Sequence, residues 1–167
     1  MEQREEKIIN IIKEFDEKLP KFPDGRIDYS DSDSAPVIIV FLKHGKKILL
    51  LKRSEKGLHY RGKWSVVAGF LDEIRPIKDK ILEEVQEEVG IKEEDILKIS
   101  IGEPYEFQDE EIDKTWIRCP ALIELKEQIK PILDWEHEEY RWIEMEELKD
   151  FDVVPGTEKG LDYVLRQ

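Results

Sequence analysis

Cysteine, asparagine and long apolar runs are nearly missing from this chain of 167 residues. Cys119 is the only cysteine, so no intrachain disulfide can form and a cysteine-built zinc cluster is excluded. Asn10 is the only asparagine, and scarce thermolabile side chains beside abundant Lys and Glu match the composition of a thermophile's protein. No apolar run approaches the roughly 18 residues of a membrane span, so no membrane partner is expected. The opening stretch MEQREEKIINIIKEF is acidic and amphipathic, unlike a secretory signal or a transit peptide, and a cytoplasmic location is the expectation. Positive charge is also short. Against 40 Asp and Glu stand 27 Lys and Arg, a net charge of −13, which disfavours nucleic acid as a partner.

What is present reads as a folded domain. Hydrophobic residues make up 40% of the chain and recur at strand-like and helix-like spacings. The length fits one domain, with residues 1–35 as an N-terminal helix and linker and 36–167 as the main body. Charge is distributed unevenly. From Lys43 to Lys63 there are eight basic residues and one acid, and from Glu83 to Asp95 seven acids and one base. Such a pair of blocks suits a small anionic ligand bridged to protein by a cation; solvated surface charge is the plainer alternative. A homodimer stays open.

Ile8, Ile11, Ile12, Phe15 and Leu19 repeat at helical spacing and predict an amphipathic helix over 2–18. Turn-rich residues 20–35 follow. Strands are expected at Pro36–Lys43, Lys47–Arg53, Trp64–Ala68, 97–107, 114–125 and Tyr140–Ile143, and short helices at 145–150 and 157–166.

The informative segment lies between Gly69 and Ile91. Pro76 suits the first turn of a helix and Gly90 its end, so a helix should run from about Pro76 to Val89. At 100° per residue, Ile77, Ile81, Leu82, Val85 and Val89 form one apolar arc, with Glu88 inside it and Glu84 at its edge. A carboxylate beside a buried stripe is costly unless it is paired or binds a metal. Glu84, Glu87 and Glu88 also repel one another at i, i+3 and i+4 spacing. A hard divalent cation would remove both penalties; an acidic face on a charge-rich protein is the other reading of the helix alone.

These residues resemble the Nudix hydrolase family. Its box runs Gly, five residues, Glu, seven residues, then Arg-Glu-U-x-Glu-Glu-x-Gly-U, with U aliphatic. Gly69, Glu84, Val85, Glu87, Glu88, Gly90 and Ile91 fall at matching positions, and GKWSVVAGF, LLLKR and EYRWIEMEEL resemble the flanking strands. Two positions depart: Arg75 stands for the first Glu and Glu83 for the Arg, as if one ion pair had been reversed. The resemblance implies an α/β fold, an α/β/α sandwich with a mixed β-sheet. It implies a metal-dependent hydrolase cutting a nucleoside diphosphate linked to another group. Glu84, Glu87, Glu88 and the Gly69 carbonyl would hold Mg²⁺ or Mn²⁺, with Glu87 or Glu88, or a carboxylate outside the box, taking a proton from water. Arg53 and Arg61 are candidates for phosphate oxygens, and Glu136 and Glu138 for an extra carboxylate. His137 could be a base or ligand, though a lone histidine is more often structural; Trp64 and Cys119 are read as buried, and Tyr105, Phe107 and Trp116 as core aromatics that could also stack on a base. The alternative function is a Nudix-fold nucleotide-binding module with weak or no catalysis. A prenyl diphosphate isomerase on this fold would need a catalytic cysteine, and Cys119 lies in no such motif.

Overall fold

The computed structural model describes residues 2–57 and 59–165. Helix α1 (Glu2–Lys18) matches its expected span. Its Ile8 and Ile12 are fully buried, which is what the 3–4 residue spacing of isoleucines requires. Strands β1 (Ser34–His44) and β2 (Lys47–Arg53) are joined by a tight turn at Gly45 with φ +60°. Between α1 and β1, Ile27 and Tyr29 enter the core, and the Tyr29 hydroxyl donates to the Leu71 carbonyl at 2.6 Å.

The expected strand Trp64–Ala68 is two strands, β3 (Trp64–Ser65) and β4 (Val67–Phe70). β3 pairs with β2 and β4 with β1. The hairpin β1–β2 is in register only near its turn, at Lys43↔Ile48 and His44↔Lys47. The splayed strands therefore take different partners from one passing segment.

Helix α2 (Ile77–Val89) follows, entered at Pro76 and closed by Gly90 at φ +72°. The Gly90 and Ile91 N–H groups donate to Gln86 and Val85 carbonyls, satisfying the last turn. Its first N–H, that of Ile77, donates to Glu5 Oε1 of α1 at 3.0 Å. One carboxylate thus both caps α2 and docks α1 against it.

The segment expected as one strand over 97–107 is also two, β5 (Ile96–Ile101) and β6 (Tyr105–Asp109), broken at residues 102–104 where Pro104 has no N–H for a ladder. Both pair with β7 (Lys114–Leu125), which runs parallel to β1. β8 (His137–Glu144) starts earlier than expected and pairs with β2. A 3₁₀ turn (Met145–Asp150) and helix α3 (Thr157–Leu165) close the fold; residue 166, expected in that helix, lies outside the described residues.

The eight strands form one mixed sheet. Ile38, Val40, Cys119, Ala121 and Ile123 pack on one face with α1 and α2, through Ile8, Ile12, Ile77, Ile81 and Val85. Ile39, Phe41 and Leu122 pack on the other with Leu161 and Val164 of α3. The result is the expected α/β/α arrangement. Cys119 is fully buried, and burial pushes its thiol up to about 12, so it is inert at neutral pH.

Candidate functional site

A cavity of about 450 Å³ opens between β4, α2, the residues around Tyr60 and the start of α3. That size suits a small-molecule ligand. Six of the residues singled out in the sequence line it: Arg53, Gly69, Glu84, Glu87, Trp116 and Glu136. Glu88 lies beneath it, 4% exposed, as the helical arc requires. Arg61 is exposed and outside the lining, its Nε donating to the Gly57 carbonyl. Glu138 is also outside, paired with Lys52 at 3.7 Å.

Glycine at 69 leaves room for the Glu84 carboxylate. A Cβ there would sit 2.5–2.7 Å from the carboxylate atoms of Glu84, so only glycine lets β4 and that carboxylate meet. Glu84 is paired with Lys80 one turn earlier, Nζ to Oε1 2.8 Å, and both side chains are 12% exposed. Lys80 also faces Asp72 at 3.8 Å, and Arg26 reaches the other Asp72 oxygen at 3.6 Å. Burial lifts the Asp72 carboxyl above its usual range while Lys80 and Arg26 oppose the shift. Arg26, Asp72 and Lys80 all line the cavity and were not singled out from the sequence. The i, i+4 spacing of Lys80 and Glu84 was the one available signal.

Glu88 contacts Glu84, and burial first, then Glu84, pushes its carboxyl far above the ordinary range. Its Oε2 is buried without a hydrogen-bond partner, and Oε1 lies 4.0 Å from His137 Nε2. His137 Nδ1 is 3.1 Å from Asp134 Oδ1. Burial draws the His137 pKa down and Asp134 partly offsets this. The histidine sits directly against the carboxylate cluster. Residues 132–136 reach α2 through Ile132 and Asp134 N–H bonds to the Val89 and Glu88 carbonyls. Glu136, half-buried, is raised by burial and by Asp134.

The reversed pair is real as geometry: the Arg75 guanidinium and Glu83 carboxylate are in direct contact. It ties the loop after β4 to the solvent side of α2. Tyr60, also in the lining, has φ +54°, an unfavourable conformation for an aromatic residue. Its hydroxyl donates to Asp109, which also accepts from Trp116 Nε1 at 3.2 Å. Tyr60, Trp116 and the buried Arg118 all line the cavity. Tyr105 is core, as expected, while Trp116 is half-buried at the cavity wall.

The model of the NUDIX domain matches residues 31–164. No curated protein matches the chain. Similar solved structures include a MutT protein from Methanosarcina mazei Go1, 23% identical over 80% of this chain and 94% of that one, with a TM-score of 0.64. Another is a MutT NUDIX hydrolase from Burkholderia pseudomallei, 19% identical over 78% and 98%, TM-score 0.63. A third is the NUDIX domain of Shewanella oneidensis NrtR in complex with ADP ribose, 13% identical over 80% and 87%, TM-score 0.66. With a glycine-closed helix that carries Glu84, Glu87 and Glu88 beside the cavity, and a domain match across most of its length, this chain belongs to the Nudix family.

Proposed function

We propose that this protein is a divalent-metal-dependent pyrophosphohydrolase acting on a nucleoside diphosphate linked to another group. The observation that carries the reading is Glu88 Oε2, a buried carboxylate oxygen without a partner, beside Glu84 and below the cavity. A buried group of this kind needs a cation or a proton. The carboxylates of Glu84, Glu87 and Glu88 and the Gly69 carbonyl are hard oxygen donors, which fit Mg²⁺ or Mn²⁺, and the His137 imidazole nitrogen lies beside them, 4.0 Å from Glu88 Oε1. Among the described residues no three His, Cys, Asp or Glu side chains converge on one point as they stand, and the Lys80 ammonium holds Glu84. Lys80 supplies the positive charge that a divalent ion would replace.

In this reading Glu84, Glu87, Glu88 and the Gly69 carbonyl hold the ion. When bound, the ion offsets phosphate charge and lowers the pKa of a coordinated water. Arg53, fixed by its Nε bond to the His59 carbonyl at 2.9 Å, binds phosphate oxygens at the cavity wall. Arg61, outside the lining, steers anions toward the opening. Glu87 lines the cavity and is exposed, so it accepts the proton of the attacking water. Glu136 faces the same space and is the better placed of the two loop carboxylates. Glu88, deeper, would help hold the ion.

Hydrolysis of a panel of nucleoside diphosphate derivatives with Mg²⁺ or Mn²⁺, scored as phosphate released after phosphatase treatment, tests the reading. Glu87→Gln should lower turnover by about 10²–10⁴-fold in folded protein, and Glu88→Gln should lower it strongly by weakening the hold on the ion. Wild-type kinetics in both variants would remove the assignment. The second reading, a nucleotide-binding module without efficient cleavage, is favoured by Lys80 on Glu84 and by the Arg75/Glu83 reversal. The NrtR domain bound to ADP ribose offers a parallel for a Nudix fold that holds a nucleotide. Tight nucleotide binding with no turnover under any metal would select that reading.

A further inference from the structure

The cavity lining holds a polar group that phosphate chemistry leaves unused. Arg118 on β7 is in register with Val37 on β1 and Tyr105 on β6, and Val37 is in turn in register with Phe70 on β4. Two strand spacings, about 10 Å, therefore separate Arg118 from the strand that carries Gly69. Its side chain lines the cavity although the residue is only 5% exposed. The guanidinium is built into place. Its Nη1 donates to the Pro155 carbonyl at 2.6 Å, and its carbon lies 4.1 Å from the Phe107 ring centroid. Gly156, at φ +86°, makes the slot: a Cβ there would run into Arg118 Nη1 and the Phe107 ring.

No carboxylate pairs with Arg118 within 4.0 Å among the described residues. Asp109, the buried acid on β6, is committed to the Tyr60 hydroxyl, to Trp116 Nε1 and to the Glu111 N–H. A guanidinium has five N–H donors and no acceptor. Buried without a counter-ion, it is stabilised only where its donors meet acceptors. The walls beside it, Trp116, Tyr60, Val37 and Ile39, are flat or apolar and suit a planar heterocycle better than a free phosphate.

Purine bases differ at the edge such a donor would meet. A 6-oxopurine offers N7 and O6, two adjacent acceptors that a guanidinium engages together. Adenine offers N7 beside an amino donor, which opposes it. We propose that Arg118 reads the N7/O6 edge and makes the cavity selective for guanosine- or inosine-type nucleotides over adenosine-type ones. This rests on the reading of the cavity as a nucleotide site.

Inosine and adenosine diphosphates share N7 and differ in the group at position 6 and in the proton at N1, and the Arg118 variants assign the preference to the N7/O6 edge. Their affinities for the full chain are measured by titration calorimetry, in chelator and again with Mg²⁺. The inosine compound should bind at least tenfold tighter. Arg118→Gln and Arg118→Lys should cut the ratio to threefold or less, with melting curves checking that each variant is folded. Equal affinities in the wild type, tighter binding of the adenosine compound, or no binding of either overturns the proposal without any variant. So does a preference that survives in folded Arg118→Gln. Base preference without hydrolysis would sink the hydrolase reading and keep this one; hydrolysis without base preference would do the reverse.

Discussion

Gly69 gives the sharpest test of a single residue. A Cβ at this position meets Glu84 carboxylate atoms at 2.5–2.7 Å, and those atoms are the far end of a flexible side chain. The clash is relieved by swinging Glu84 away from β4 and from Lys80, with little strain on the backbone. Gly69→Ala should therefore change unfolding free energy by less than about 1 kcal/mol, well below ordinary overpacking of a rigid core. Turnover should fall as if Glu84 itself had been removed. Urea unfolding beside kcat separates the two effects. A large loss of stability would mean that the carboxylate cannot yield, and unchanged turnover would mean that Glu84 has no part in the site.

At the scale of elements, α2 and its approach are held by polar contacts at both ends. Glu5 of α1 satisfies the Ile77 N–H at the start. Arg75 and Glu83 join the preceding loop to the helix, with side-chain exposures of 28% and 40%. A partly exposed pair of this kind contributes on the order of 0.2–1 kcal/mol. A double-mutant cycle with alanine at each position should give coupling of about 0.5 kcal/mol or more. The swapped variant Arg75→Glu/Glu83→Arg, which restores the signs of the Nudix box, should retain most of it. Additive single effects would show that the two departures from the box arose separately.

The same elements show what could be read in advance. α2 was legible because its signals are local: Pro76 at one end, Gly90 at the other, and an isoleucine–valine arc that puts Glu88 inside. The division of residues 64–70 between two sheet partners was not. It follows from the splaying of β1 from β2, a relation between distant segments that the run WSVVAGF does not encode. The break between β5 and β6 had a cue, Gly102 with Pro104, which the continuous strand reading passed over. At the site, the carboxylates and Arg53 stood in a motif or a charge block. Lys80, Asp72, Arg26 and Arg118 did not, because each acquires its place by packing: Arg118 looks like any arginine in a strand until β1, β6 and Gly156 close around it.

For the molecule as a whole, the proposed ion site makes a prediction about stability. Glu84 and Glu88 are in contact, Glu136 adds its charge, and Lys80 is the ammonium that holds Glu84. An ion that binds only the folded state stabilises it by about 2.7 kcal/mol at 100 times its dissociation constant. In a domain of this size each kcal/mol moves the melting midpoint by roughly 2–4 °C, so saturating Mg²⁺ or Mn²⁺ should raise it by roughly 5–11 °C over a chelated sample. Lys80→Met sharpens the expectation. Without the ammonium, Glu84 and Asp72 lose a partner at 2.8 and 3.8 Å, and the chelated variant should melt below the chelated wild type. Added metal should then recover more than it gains in the wild type, because no lysine competes for Glu84. A metal shift that persists unchanged in Glu84→Gln/Glu88→Gln would place the ion elsewhere on an acidic surface of net charge −13. A smaller metal shift in Lys80→Met than in the wild type would make Lys80 a helper of the ion and not its substitute.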